Sequence, residues 1–264
     1  MLNGNGLKYT DKGTKKGTVV CIHGNSSSTE VFQSLLSSGE ILSSVVAIEL
    51  KGHGDNQSKD HGLSDFSFEA HKQYLLDQLS DVSGDILLVG NSLGGHLAIE
   101  IANEVENLKG LVIMGTPPVK NPINFEEAFI PVEALNTYFT ENPSEDDIVN
   151  AARVTVSEKT HADVIINDFK KANPLVRKAT AADITQDKLL DQFSIFNDLN
   201  VAKYIVAGDV DPSVNRSYLA YVKECSGADC EIIDVTDCGH FPSLEQPKKF
   251  IGIINDITQF VFRE

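Results

Sequence analysis

Ser92 stands in the stretch Gly90-Asn91-Ser92-Leu93-Gly94-Gly95, where an apolar run gives way to a helical pattern. The spacing GxSxG suits a strand that reverses sharply into a helix and pushes the central hydroxyl outward at the turn. Glycines two residues to either side leave room for strand and helix to pass closely. At the head of a helix, unpaired N–H groups favour a developing negative charge. That is the environment of a serine nucleophile. The competing reading, a glycine-tightened turn with an idle serine, is disfavoured by the buried run before it and the amphipathic pattern after it.

A serine hydroxyl is a weak nucleophile at neutral pH and needs a base, which in turn needs an orienting acid. In sheets with such an elbow the chain order is serine, acid, histidine. His240 lies in Asp237-Cys238-Gly239-His240-Phe241, after the last strand-like run and before a helix that Pro247 opens. His23, His53, His61, His71, His96 and His161 precede the serine, follow it closely or fall in a central insertion; packing or solvent exposure accounts for them. The acid should follow another late strand, and Val201–Ala207 leads into Gly208-Asp209-Val210-Asp211-Pro212. Asp211 lies far enough past the strand end to turn toward an imidazole, with Asp209 as its competitor. The turn after Leu108–Met114, Gly115-Thr116-Pro117-Pro118, offers no carboxylate. Donors for an oxyanion are expected from the N–H of Leu93 and from Asn25 in His23-Gly24-Asn25-Ser26-Ser27-Ser28, where at least one serine caps the helix expected over Glu30–Leu36.

These groups are far apart in the chain, so strands must bring them to one rim. The runs Thr18–Ile22, Val45–Leu50, Asp85–Val89, Leu108–Met114, Val201–Ala207 and Cys230–Val235 lack polar alternation, as strands of a parallel sheet covered on both faces do. Helical spacing, such as Leu93, Leu97 and Ile101, separates the early ones. The expected fold is α/β: a doubly wound, mostly parallel sheet built from residues 1–118 and 201–264. Residues 119–200 read as a helical cap, with helices over Glu145–Val154 and Asp187–Asp198 and no strand. Only 17 residues precede the first firm strand, and Gly6–Asp11 forms one weak strand at most, so the sheet is expected to be trimmed on that edge. Thr116, Phe125, Phe129, Tyr138 and Phe139 are candidate substrate contacts beneath the cap.

The chain has 264 residues, of which 41% are apolar, and a formal net charge of −16. That charge repels phosphate backbones and anionic lipid, which argues against nucleic-acid and membrane partners. No apolar run approaches the roughly 20 residues of a membrane span, and Met1–Lys8 has no secretory pattern. Cys21, Cys225, Cys230 and Cys238 fit no zinc spacing, and reduced thiols in a cytoplasmic protein are expected. The scattered histidines disfavour a metal centre, and no cofactor is expected. The partner is then a small molecule, taken up by a monomer or small homo-oligomer.

Together, HGNSSS, Gly52-His53-Gly54-Asp55, GNSLGG, the GDVDP turn and Gly239-His240 followed by Glu245 and Pro247 resemble the α/β-hydrolase superfamily along nearly the whole chain. More narrowly, HGNSSS, Ser92-Leu93-Gly94-Gly95-His96 and Gly110–Val119 resemble the α/β-hydrolase type of N-acyl-homoserine lactone lactonase, which opens its lactone without a metal. That resemblance implies Ser92 as nucleophile, His240 as base and Asp211 as acid, where those enzymes carry a glutamate. It implies Asn25 and Leu93 as the oxyanion hole and Tyr138 as the candidate cap tyrosine. The expected activity is hydrolysis of an ester or lactone through an acyl-enzyme. Carbon–carbon bond hydrolysis, haloperoxidase-like chemistry or a lyase on the same fold is the alternative, and a non-enzymatic ligand receptor is a further one. A haloalkane dehalogenase is disfavoured, since its nucleophile would be an aspartate at position 92.

Overall fold

Alternate residues of the apolar runs feed two separate cores, one on each face of the sheet. Val20, Ile22, Val46, Ile48, Leu88, Leu111 and Ile113 belong to one; Val19, Cys21, Val45, Ala47, Leu87, Val89, Val112 and Met114 belong to the other. Each valine, leucine, isoleucine or methionine among them, fully buried, contributes about 1.5–3 kcal/mol. This double burial is why the strands show no polar alternation.

The computed structural model describes residues 2–3, 7–10, 17–57 and 62–263. Its strands are β1 (Leu2–Asn3), β2 (Leu7–Thr10), β3 (Gly17–Ile22), β4 (Ser44–Ile48), β5 (Asp85–Asn91), β6 (Leu108–Met114), β7 (Ala202–Gly208) and β8 (Cys230–Val235). They form one sheet in the order β1-β2-β4-β3-β5-β6-β7-β8. From β3 to β8 every pairing is parallel, whereas β1 and β2 join antiparallel. The edge is short, as expected: β2 lies within the weak strand foreseen at Gly6–Asp11, and the two-residue β1 adds a second beyond it. Gly6, Asp11 and His61 lie outside the described residues.

The helices are α1 (Gln33–Ser37), α2 (Phe68–Leu79), α3 (Leu93–Ile101), α4 (Phe125–Ala128), α5 (Glu145–Thr155), α6 (Ala162–Lys171), α7 (Pro174–Thr185), α8 (Gln192–Asp198), α9 (Arg216–Ser226), α10 (Pro242–Glu245) and α11 (Pro247–Val261). Helices α4 to α8, with a 3₁₀ segment at Glu133–Phe139, lie in the chain between β6 and β7. The helix expected over Asp187–Asp198 starts later, at Gln192. Asp187 sits at φ 56°, which no helix accepts, and the Asp191 carboxylate caps the first turn at Ser194 N, 3.0 Å away. The expected absence of a cap strand holds among the described residues, but Phe129 makes a lone β-bridge with Val214, beside the GDVDP turn. Further bonds stitch cap to sheet rim: Asn173 N to Gly52 O at 2.7 Å, Phe68 N to Asp183 Oδ2 at 2.7 Å and Ile130 N to Ser213 O at 2.8 Å. Among the described residues no helix is long and apolar enough to cross a membrane.

Candidate active site

Because β3, β5, β7 and β8 run parallel, their carboxyl ends open on one rim, and the loops there carry Asn25, Ser92, Asp211 and His240. The turn from β5 into α3 holds Ser92 at φ 53°, ψ −122°, a conformation that costs a non-glycine residue about 1–3 kcal/mol. The glycines around it are set by contact. A Cβ on Gly90 would lie 2.4 Å from Gly95 Cα, and one on Gly94 would lie 2.2 Å from the Ile22 carbonyl. The strand ends and the helix therefore pass at backbone contact, and only glycine permits it. Ser92 N donates to Met114 O at 2.8 Å, anchoring the turn to β6.

His240 Nδ1 lies 2.8 Å from Asp211 Oδ2. The other carboxylate oxygen accepts from Ser213 N at 2.9 Å and Ser213 Oγ at 2.7 Å. A charged carboxylate only accepts, so Nδ1 carries the proton and Nε2 keeps its lone pair. Burial opposes charge on Asp211, but the imidazole and the Ser213 donors outweigh it and hold the carboxyl below its usual range. Burial likewise disfavours imidazolium at His240, and the Asp211 charge and hydrogen bond outweigh it, raising the pKa above the ordinary histidine value. Asp209, the competing acid, instead accepts from Cys238 N at 3.1 Å.

The loop bearing His240 is fixed from several sides. Buried Glu245 accepts from Gly239 N, Phe241 N and Ser157 N at 2.9, 3.0 and 2.7 Å. Asn91 Nδ2 donates to His240 O at 3.0 Å, and His240 N donates to Thr155 O at 2.8 Å. Gly115, at φ 58°, completes the seat: a Cβ there would fall 2.3–2.9 Å from three ring atoms of His240. Gly115→Ala must therefore displace the imidazole. We expect kcat for ester hydrolysis to fall about 10²-fold, the usual cost of a misplacement near 1 Å, with a folded protein by circular dichroism.

Neither Asn25 N nor Leu93 N donates to another group among the described residues, so both N–H groups are free beside Ser92. The Asn25 loop is tied to the cap: Asn25 Nδ2 donates to Tyr138 O at 2.7 Å, and buried Arg177 donates to Ser26 Oγ at 3.1 Å while holding the carbonyls of Thr140 and Glu141. Ser28 caps the turn that follows, accepting from Glu30 N.

Asn25, Ser92, Leu93 and His240 border one cavity of about 340 Å³, roofed by the cap. Phe125, Phe129, Tyr138 and Phe139 line it. Thr116 does not. Its hydroxyl donates to the carbonyls of Ser92 and Met114, at 3.0 and 2.8 Å, and so braces the elbow. Ser92 Oγ makes no hydrogen bond among the described residues, although it and the imidazole face the same space. His96, for which the sequence suggests packing or solvent exposure, also reaches the cavity wall. Ser213, Glu245 and Arg177 were not identified as site residues from the sequence; a serine two positions after Asp211 was the one local signal available.

The chain is similar to solved structures over almost its whole length. N-acyl homoserine lactonase AidH, in complex with N-hexanoyl homoserine lactone, superposes with a TM-score of 0.85 at 23% identity, covering 96% of this chain and 93% of that one. A thermophilic esterase from Thermogutta terrifontis, with malate bound, gives 0.75 at 18% identity, covering 97% and 93%. A Mycoplasma genitalium protein provisionally described as an esterase/lipase is 23% identical over 233 residues, 83% of this chain and 82% of its own length. The family model described as "Alpha/beta hydrolase family" matches residues 19–253, from β3 into α11. On that match the chain belongs to the α/β-hydrolase family.

Proposed function

We propose that this protein is a metal-independent serine hydrolase of carboxylic esters or lactones, working through an acyl-enzyme on Ser92. The observation that carries this reading is the shared cavity: a serine on a strained turn and an imidazole whose Nδ1 lies 2.8 Å from Asp211 both line it. The reading requires Oγ to come within hydrogen-bond reach of Nε2, a contact of the kind that tightens when substrate binds. His240 Nε2 then takes the serine proton while Oγ attacks the carbonyl carbon. The oxyanion collects the N–H groups of Asn25 and Leu93, each such donor being worth about 3–4 kcal/mol in the transition state. The imidazolium returns its proton to the leaving oxygen. Water, deprotonated by the same nitrogen, releases the acid. In a lactone the leaving alcohol stays on the acyl group, so one hydroxy acid is the product.

N-acyl homoserine lactones are the lactones we favour, a reaction that would silence bacterial signals (quorum quenching). AidH is similar over the whole chain, and Phe125, Phe129 and Phe139 line an apolar cavity near the low end of the roughly 300–1,000 Å³ of small-molecule sites, which suits a short acyl chain. The test is mass spectrometry of the protein quenched during hydrolysis of p-nitrophenyl butyrate and N-hexanoyl homoserine lactone, after exhaustive chelation. We expect one acyl group on the peptide bearing Ser92 and undiminished turnover. Turnover without a Ser92 adduct, or activity lost to the chelator and restored by zinc, would overturn the reading.

A further inference from the structure

His96 lies one helical turn after Ser92 on α3, half-buried, with its ring on the cavity wall and 6.1 Å from the Phe129 ring. Its Nδ1 is 2.7 Å from Gln192 Oε1. One further turn along α3, buried Glu100 accepts from Gln192 Nε2 at 2.9 Å and Leu190 N at 3.0 Å, and pairs with Lys72 Nζ at 3.3 Å. The proton positions follow from this relay. A carboxylate accepts only, so Gln192 must turn its amide NH₂ to Glu100 and its carbonyl to His96. His96 must then donate from Nδ1, which leaves the lone pair on Nε2. Burial, helped by the nearby His240 and only partly opposed by the Gln192 hydrogen bond, pushes the His96 pKa down to about 4, so the ring stays neutral at physiological pH.

Nε2 has no hydrogen-bond partner among the described residues, and the ring beside His96, that of Phe129, offers it no donor. A buried glutamine, a buried carboxylate and a lysine thus hold one acceptor ready on a mostly apolar cavity wall. Residues four apart on a helix share a face and are separated by about 6 Å along its axis. That is the scale of an attacked carbonyl plus its α-substituent.

We propose that His96 determines specificity: its Nε2 accepts a hydrogen bond from an N–H donor beside the carbonyl that Ser92 attacks. The site would thereby select α-acylamino lactones and esters over matched substrates lacking that donor. This deepens the function proposed above and rests on Ser92 being the nucleophile. A polar group built into an apolar pocket discriminates against ligands that leave it unpaired, so the donor-free substrate is the one penalised.

The experiment compares kcat/KM for N-hexanoyl homoserine lactone and α-hexyl-γ-butyrolactone, which keeps the ring and lacks the N–H. In the unaltered protein we expect the first to be preferred about tenfold, and in His96→Leu that preference to fall to within about twofold of unity. Equal losses on both lactones, with the ratio preserved, would overturn the proposal. A second measurement does not depend on the fold of that variant. In ¹⁵N NMR of folded Ser92→Ala, the acylamino lactone should shift the unprotonated Nε2 resonance of His96, and the α-hexyl lactone should not. No shift with either ligand bound, or a proton found on Nε2, would also sink it. Gln192→Met, which removes the relay without touching substrate, should mix the two His96 tautomers in the same spectrum; an unchanged spectrum counts against the relay. Retained lactone turnover in Ser92→Ala is a separate result that removes the parent reading instead.

Discussion

Replacing Ser92 by alanine should lower turnover of p-nitrophenyl butyrate and N-hexanoyl homoserine lactone by at least about 10⁴-fold, and replacing it by glycine should do the same while raising the melting temperature. Both variants lose the oxygen that would form the acyl-enzyme, and loss of a nucleophile of this kind removes nearly all the rate beyond binding and oxyanion stabilisation. They differ in the backbone. At φ 53°, ψ −122° the Cβ of alanine is held as unfavourably as that of serine, whereas glycine is relieved of the strain. Glycine also loses more freedom on folding, which takes back part of the gain. The surplus should be about 1 kcal/mol over Ser92→Ala, or about 2–4 °C in a chain of this size. Calorimetry of the three proteins beside initial-rate assays reads both halves. Activity surviving in either variant removes Ser92 as the nucleophile; a glycine variant no more stable than the alanine one shows that the elbow stores no strain.

The same strain explains why Ser92 was legible in the sequence. Packing at 2.2–2.4 Å between would-be Cβ atoms and backbone demands glycine at particular offsets, and a constraint that local leaves a local pattern. His240 and Asp211 were legible for a related reason: each follows a parallel strand, and parallel strands end on one rim whatever the length of chain between them. The choice of Asp211 over Asp209 could be argued from reach alone, and the structure joins Asp211 to the imidazole. What lay beyond the sequence is held together across distance. Glu245 matters because it gathers three backbone N–H groups, one of them 88 residues away at Ser157. Gln192 is 96 residues from the histidine it orients. Thr116, a candidate substrate contact in the sequence, carries no local pattern to show that the carbonyls of Ser92 and Met114 claim its hydroxyl. Strand β1, two residues long, is too short for any periodicity to register.

Asp211→Asn is the sharper test of the base, because the surroundings dictate how asparagine must sit. Ser213 N and Ser213 Oγ both point donors at Oδ1, so the asparagine carbonyl takes that place and its NH₂ replaces Oδ2. The NH₂ then faces His240 Nδ1, which can no longer donate and must accept. The proton moves to Nε2, the nitrogen that should take it from Ser92, and the imidazole is held in the wrong tautomer. Loss of turnover of about 10³–10⁴-fold is expected, with substrate binding little changed. The pH profile should move as well. In the unaltered protein, Asp211 raises the His240 pKa above the ordinary value against the effect of burial, and activity is expected to climb as the ring deprotonates. Without the charge the burial remains, so the limb shifts to lower pH. Stability carries the same signature. His240, with its pKa raised, contributes stability that is present below its unfolded value and lost as pH rises through the folded one; Asp211, with its pKa lowered, contributes stability lost only as pH falls through its own. The gap in melting temperature between the unaltered protein and Asp211→Asn should accordingly be wider near about pH 5.5 than near about pH 9. A variant that keeps the original pH limb, or a gap that widens toward alkaline pH, would mean that some group other than Asp211 governs the imidazole.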